Sequence, residues 1–322
     1  MVYNWFTQLY KGKADVFVNG YKKLIKSKKV RIAILKSLDF VPDKVMIELQ
    51  YFIRLGKFAN LKKPKRYSEK IQWYKLYYKD PLMKICVNKE KVHDYVKDCG
   101  LEHILNERYG AYSSPDEIDF DTLPNSFVLK DTLGGGGDSV ILVEDKSTVN
   151  IEELKSTMQK WVDEDCNKKN VGREWIYDGV KHRIIAEKLL KADENGDLPD
   201  YKFFCFNGKV YCLYMMENYT KHHSEGRMGF FDKDFKLMDV TRADFKPIVN
   251  QPQKPKGYDE MVRYAEILSK EFPHVRVDFY NIDGKIVFGE LTFFNASGYT
   301  KFNPDSFDYE MGDAFELPQK LL

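Results

Sequence analysis

The chain has 322 residues with 51 basic and 49 acidic side chains; its net charge of +2 gives no global pull toward nucleic acid. Apolar residues make up 43% and aromatic residues 15%, which supplies material for two domains, or three small lobes around one site, and excludes a disordered chain. Five scattered cysteines (Cys86, Cys99, Cys166, Cys205, Cys212) contain no C-x-x-C, so they argue against a zinc site or a disulfide framework and for a reducing compartment.

Residues 1 to about 60 read as helices, because Trp5, Phe6, Leu9 and Tyr10 recur at helical spacing, as do Val45, Ile47, Leu49, Phe52 and Ile53. Between these runs lies a basic stretch (Lys22, Lys23, Lys26, Lys28, Lys29, Arg31, Lys36) that can rest on an anionic membrane or a partner; a solvated helix face looks the same. There is no N-terminal apolar leader and no run of about 18 apolar residues, so a cytoplasmic protein is expected, at most peripheral to a membrane. Ser68 then reads as the cap of a helix carrying Ile71, Trp73, Tyr74 and Leu76, and a further helix is expected around Lys89 to Cys99, with Gly100 at its C-cap. From about Leu105 the texture turns β-rich: Gly110–Tyr112, Phe127–Lys130 and Val140–Val143. A helix at Ile151–Trp161, capped by Asn150, precedes a strand at Arg183–Glu187 and an acidic loop at Ala192–Pro199. Asn207-Gly208 marks a hairpin between Lys202–Phe206 and Val210–Met215. A loop rich in His, Gly and charge follows, then a proline-rich connector and a helix at Tyr258–Phe272.

Two constellations carry chemistry. Phe127 to Val143 is a strand ending in Lys130, a glycine-rich turn from Gly134 through Gly135 and Gly136 to Gly137, then Asp138 and a returning strand. Such a lysine places a point charge on phosphates, and glycines let backbone N–H groups approach the same oxygens. A flexible surface turn is the alternative, and neither the P-loop nor the dinucleotide fingerprint is matched. Near the C-terminus, R-V-D-F-Y and V-F-G-E-L-T flank Asn281-Ile282-Asp283-Gly284, so a hairpin brings Asp278 and Glu290 within reach of one ion such as Mg²⁺. Arg276 shares a face with Asp278 at spacing two. Weaker signals are the strand end Glu187-Lys188-Leu189-Leu190, which can clasp a purine or simply edge a buried strand, and the cations Lys202 and Arg227. His222 and His223 lack a third ligand at metal spacing.

In order, the lysine strand, Gly-rich hairpin, E-K-x-L strand, R-x-D and E-x-T followed by a small-residue turn resemble the ATP-grasp superfamily. Glu187–Leu190, Arg276–Asp278 and the run from Glu290 look like motifs of D-alanine–D-alanine ligases. The runs from K-K-P-K-R-Y-S-E-K-I-Q-W-Y through D-F-D-T-L-P-N-S-F-V-L-K and L-P-D-Y-K-F-F-C-F-N-G-K to G-E-L-T-F-F, over about Leu61 to Leu317, are closer still to the TupA-like (teichuronopeptide-biosynthesis) ATP-grasp family. The resemblance implies an α/β ATP-grasp fold: an N-terminal helical region (1–104), a small lobe (105–190) and a C-terminal lobe (191–322). It implies that Lys130 holds the α and β phosphates of ATP, Gly134 to Asp138 form the lid, Glu187 to Leu190 surround adenine, and Asp200 takes the ribose hydroxyls. Lys202 and Arg227 would face the γ-phosphate or the reacting carboxylate, Arg276 would steady an oxyanion, and Asp278 and Glu290 would bind Mg²⁺. The ligases carry E-x-N at the metal; here Thr292 stands at the Asn place and Asn295 follows three residues later, so either can complete the shell. The family usually has Asp-Lys where this chain has Asn88-Lys89. The expected activity is ATP-dependent carboxylate–amine ligation through an acyl phosphate, with a glycan or small-molecule carboxylate as acceptor and an amine as donor, in the decoration of a capsular or related surface polysaccharide. A phosphotransferase on the same scaffold is the alternative, and a non-catalytic nucleotide-binding protein a third reading.

Overall fold

The computed structural model describes residues 27–135, 139–192, 197–218 and 226–322. The Trp5–Tyr10 periodicity, Lys22, Lys23, Lys26, Gly136, Gly137, Asp138, residues 193–196 of the acidic loop, and His222 and His223 lie outside the described residues. The chain divides into two compact units, one made of Met1–Lys79, Asn167–Asp178 and Phe294–Leu322, the other of Asp80–Cys166 and Gly179–Phe293.

In the first unit, helices α1 (Lys28–Ser37), α2 (Asp43–Leu55) and α3 (Tyr67–Tyr77) come from the N-terminal part and α8 (Ser306–Ala314) from the C-terminal part. Helix α3 starts one residue before the expected cap, with Arg66 at its N-cap position and Ser68 inside the first turn. Glu69 closes the helix start instead, accepting from the backbone N–H groups of Lys65 (2.9 Å) and Arg66 (3.2 Å). That leaves Ser68 to donate both its N–H (2.8 Å) and its hydroxyl (2.7 Å) to Asp308, while the Arg66 fork takes Asp305 at 2.8 and 2.7 Å. These bonds tie the last residues of the chain to its N-terminal helices. The expected boundaries at 104/105 and 190/191 therefore divide the chain differently from its compact units: residues 294–322 join the helices, and both large sheets share the second unit.

The second unit holds two sheets. Strands β1 (Arg108–Tyr112), β2 (Phe127–Asp131), β3 (Val140–Val143) and β4 (Ile184–Lys188) form the first, antiparallel, in the order β1-β4-β2-β3. One face packs on α6 (Ile151–Val162), where Phe127, Leu129, Ile184 and Ala186 meet Met158 and Trp161. Asn150 caps α6 as expected, accepting from Glu152 N–H at 3.0 Å. Side chains alternate along a strand, so the same pattern turns Lys130 and Glu187 to the opposite face. Ahead of this sheet run the short helices α4 (Pro81–Cys86) and α5 (Val92–Asp98), the latter ending near Gly100 with its φ of 75°. Residues 88–91 do not join α5: the Asn88 side chain accepts from the N–H groups of Glu90 (2.9 Å) and Lys91 (3.1 Å) and turns the chain there.

The second sheet contains β5 (Asp200–Phe206), β6 (Lys209–Glu217), β7 (Arg227–Asp232), β8 (Lys246–Pro247), β9 (His274–Ile282) and β10 (Lys285–Thr292), ordered β10-β9-β5-β6-β7-β8. Both expected hairpin turns are present, with left-handed Asn207-Gly208 (φ 50° and 74°) and Asp283-Gly284 (φ 53° and 98°). One face is apolar: Phe203, Val277 and Phe279 lie under α7 (Tyr258–Ser269), and Phe203 packs 6.0 Å from Tyr258. The other face is polar and carries Arg276 and Asp278.

The β9–β10 hairpin contains a β-bulge that decides what shares that polar face. From the turn, Ile282 pairs with Lys285, Tyr280 with Val287 and Phe279 with Phe288; the register then shifts, and Asp278 pairs with Glu290 and Arg276 with Thr292. Gly289 is the extra residue. If Gly289 took a regular place in the ladder instead, Asp278 would oppose Gly289, and Glu290 would point to the apolar face with Val277. A glycine is needed because a Cβ at this position would lie 3.0 Å from the Asp278 carbonyl oxygen. A side chain at position 289 should therefore crowd the Asp278 carbonyl and strain the bulge that sets Glu290 and Thr292 opposite Asp278 and Arg276. We expect Gly289→Val to cost about 1–3 kcal/mol of stability, as overpacking does, read as a lower melting temperature. A variant that melts at the wild-type temperature would contradict this reading.

Candidate functional site

The polar face of the larger sheet is organised around one guanidinium. Arg276 Nε donates to Asp278 Oδ1 (2.7 Å), and its Nη2 reaches Asp278 Oδ2 (2.6 Å), Glu290 Oε1 (3.0 Å) and Thr292 Oγ1 (3.0 Å). Its Nη1 bonds the Tyr214 hydroxyl at 3.2 Å. On the neighbouring strand Lys202, paired in register with Asp278, bridges Asp278 (2.6 Å) and Asp200 (2.5 Å). Thr292 donates its hydroxyl to Glu290 Oε1 (3.0 Å), which fixes that carboxylate. Three carboxylates and two cations thus share one sheet face, each with an oppositely charged partner.

Burial and neighbours set the protonation states. Burial opposes ionisation of Glu290, but Lys89, Arg276 and Lys202 outweigh it and hold the carboxyl at about 2. Burial pushes Asp200 up to about 6, with the Asp278 charge adding to the rise and Lys202 opposing it. Burial works against the Lys202 charge, yet Asp200 and Asp278 raise its pKa well above the usual value. Arg276 is likewise raised, by Asp278, Tyr214 and Glu290 against the cost of burial.

Beside this face lies a small cleft between the two sheets of the unit. From the smaller sheet and α5 it is lined by Lys130, Glu187, Leu190, Val92 and His93; from the β9–β10 hairpin by Tyr280, Val287, Phe288 and Gly289. Lys130 donates to Glu187 at 2.8 Å. Lys89 also lines the cleft; its backbone N–H bonds Thr132 O (2.9 Å) and its ammonium bonds Gly134 O at the base of the glycine turn. Burial lowers the Lys89 pKa, while the Glu290 carboxylate raises it. Burial also keeps His93 below its usual range, and hence neutral at pH 7. A site with two lysines, a glutamate and apolar walls can take the phosphates and aromatic base of a nucleotide.

Of the residues singled out in the sequence, Arg276, Lys202, Asp200, Asp278, Glu290 and Thr292 come together on one sheet face, and Lys130, Glu187 and Leu190 on the cleft. Gly134 sits in a tight turn, where a Cβ would meet Ser139 at 2.5 Å, and Gly135 faces open space. Lys188 turns out to Glu107 (3.1 Å), and its carbonyl accepts from the Asn106 side chain at 2.8 Å. Leu189 follows the end of β4, half-buried. Arg227 is exposed at the start of β7, 3.5 Å from the Pro247 carbonyl, and is not among the residues bonded to Arg276 or Lys202. Asn295 belongs to the first unit. Sequence reasoning missed Tyr214, His93 and Asn106 and gave no role to Lys89. For Lys89 the signal was there: Asn88-Lys89 stands where the family carries Asp-Lys, and Asn88 builds the turn that presents the lysine.

The donor set fits a hard divalent cation. Glu290 is ionised and its side chain is 38% exposed, and Asp278 stands directly opposite, though both its oxygens already accept from Arg276 and one also from Lys202. Among the described residues no group of three metal-ligating side chains occurs, so phosphate oxygens and water would fill the remaining positions, as Mg²⁺ prefers.

The family model described as TupA-like ATPgrasp matches residues 69–316. No curated protein matches the chain. Among solved structures, the chain is similar to a D-alanine–D-alanine ligase from Bacillus anthracis (17% identity, TM-score 0.40, 65% of this chain and 57% of that one). It is also similar to an L-amino acid ligase from Bacillus licheniformis (14%, TM-score 0.42, 73% and 51%) and a D-alanine–D-alanine ligase from Helicobacter pylori (13%, TM-score 0.41, 72% and 62%). The chain thus spans between half and two thirds of these ligases. With a family model covering most of its length, and with the α/β architecture that the motifs implied, the chain belongs to the TupA-like ATP-grasp family.

Proposed function

We propose that the protein is an ATP-dependent carboxylate–amine ligase that works through an acyl phosphate and decorates a cell-surface polysaccharide or its precursor. The observation that carries the reading is the nearness of the cleft to the Arg276 cluster: Lys89 and Lys130 line the cleft together with Gly289, the residue before Glu290 on β10. In this reading ATP lies in the cleft with its base near Leu190 and its phosphates toward Lys130 and the glycine turn. Asp278 and Glu290 hold Mg²⁺, which neutralises phosphate charge when bound. The substrate carboxylate takes the γ-phosphoryl group, an amine displaces phosphate, and Arg276 and Lys202 stabilise the charge that develops on the acyl oxygen. The chain's own contribution is orientation and charge neutralisation, with no covalent nucleophile required.

Stoichiometry tests the reaction class. Across a screen of uronic acids, sugar nucleotides and amines, a ligase releases phosphate only when an acid and an amine are both present. Release of a phosphorylated product with one acceptor would replace the ligase by a phosphotransferase.

MgATP should raise the melting temperature, since a ligand that binds only the native state adds stability by mass action, about 2.7 kcal/mol at a hundredfold excess over Kd. Lys130→Met should remove most of that shift. A melting scan with no response to millimolar MgATP would remove the nucleotide from the account.

Arg276→Lys keeps the charge but loses the fork that holds Asp278, Glu290 and Thr292 together. Steady-state kinetics should show kcat down by about 10²-fold or more with the KM for ATP little changed. A large rise in that KM at preserved kcat would move Arg276 into ground-state phosphate binding.

A further inference from the structure

Residues 1–66 carry 16 of the chain's 51 basic side chains and only 4 of its 49 acidic ones. The rest therefore holds 35 basic and 45 acidic residues, and the near-neutral total conceals two oppositely charged parts. Within residues 27–66 the count is eleven basic to three acidic. Two of those three acids face away from this excess: Asp43 pairs with Lys169 at 2.9 Å, and Asp39 accepts from the Lys169 N–H at 2.9 Å.

The same segment exposes large apolar side chains. Helix α2 has two apolar sides: Met46, Ile47, Tyr51 and Leu55 are buried in the unit, whereas Val45 and Leu49, one turn apart, stand in solvent. Phe52, a turn further on, stacks on Phe58 with ring centroids 4.7 Å apart, and Phe58 is 69% exposed. Phe40, in the loop between α1 and α2, is 82% exposed, and Val30 and Ile34 repeat the exposed one-turn spacing on α1. Next to these in sequence, Lys44, Lys62, Lys63 and Lys65 are exposed and pair with no carboxylate among the described residues. Apolar side chains exposed on successive helix turns, with a stacked pair among them and charged groups beside them, mark a contact surface.

We infer that this α1–α2 face docks on an anionic lipid surface. Apolar side chains set among lysines suit the boundary between headgroups and acyl chains: the rings and branched chains enter it, while the ammonium groups meet lipid phosphates. Protein interfaces are depleted in lysine and enriched in arginine, yet eight of the eleven basic residues over 27–66 are lysine. A soluble polyanion would engage the lysines and leave the phenylalanines in water. The inference stands apart from the proposed reaction and is read by a separate assay.

The full chain should co-sediment with vesicles containing about a third phosphatidylglycerol and not with pure phosphatidylcholine, and about 0.5 M salt should weaken the binding. A Phe40→Ser/Leu49→Ser/Phe58→Ser variant and a Lys44→Gln/Lys62→Gln/Lys63→Gln variant should each bind at least about tenfold more weakly. Both should keep the wild-type melting temperature and its response to MgATP, which shows that fold and cleft are intact. Equal binding to neutral and anionic vesicles, or none to either, overturns the proposal. So does loss of binding in the lysine variant alone, with heparin bound as well as vesicles, since the surface would then serve a soluble polyanion.

Discussion

The guanidinium of Arg276 is the interaction on which the rest of the site depends. Two carboxylates of opposite strands, Asp278 and Glu290, and the Thr292 hydroxyl all meet its nitrogens within 3.0 Å. Without it, a sheet face carrying Asp200, Asp278 and Glu290 would hold three acids against one lysine. The fate of such a cluster is set by desolvation, which forces buried acids to take up protons. Lys89, this cation and Lys202 together reverse this for Glu290, which stays ionised down to about 2, while burial and the Asp278 charge carry Asp200 up to about 6 against Lys202 and Arg276. One carboxylate is thereby kept permanently charged, and another titrates close to neutral pH.

That arrangement rests in turn on backbone register. Strand residues alternate faces, so in a regular ladder counted out from Asp283-Gly284 Glu290 would lie on the apolar face. The bulge at Gly289 absorbs one residue and turns Glu290 to the polar face, and the close approach of the Asp278 carbonyl explains why glycine suits the position. The bulge also borders the cleft, so the feature that aims Glu290 shapes the wall against which a nucleotide would lie. On the opposite wall, the Asn88 turn presents Lys89 to Gly134 and to the field of Glu290. The lysine strand, the glycine turn and the β9–β10 hairpin are thus joined through two local backbone devices, neither of them a regular helix or strand.

Much of this was legible in the chain. Asn207-Gly208 and Asp283-Gly284 need left-handed backbone, and few other dipeptides adopt it cheaply, so both hairpins could be placed from turn chemistry alone. Asn150 and the alternation Phe127–Lys130 located α6 and β2 for equally local reasons. Ser68 misled because its hydroxyl oxygen is a cap acceptor in type, yet here the hydroxyl donates to Asp308, 240 residues away. The bulge was invisible for a related reason. Asp278 and Glu290 were expected to converge from the turn alone, although counting pairs outward from Asp283-Gly284 sets them on opposite faces; only the pairing with the neighbouring strand reveals the inserted residue. Lys89 and Tyr214 entered the site through long-range packing that no periodicity reports.

The account predicts one place for metal and nucleotide together. The direct measurement is a crystal structure with Mn²⁺ and a non-hydrolysable ATP analogue, read by the anomalous signal of the metal. The account predicts the metal about 2.2 Å from the Glu290 carboxylate and bound to phosphate oxygens, with the triphosphate running past Lys130 and the base near Leu190. Nucleotide density outside this cleft, or a metal that touches neither Glu290 nor Asp278, would contradict it.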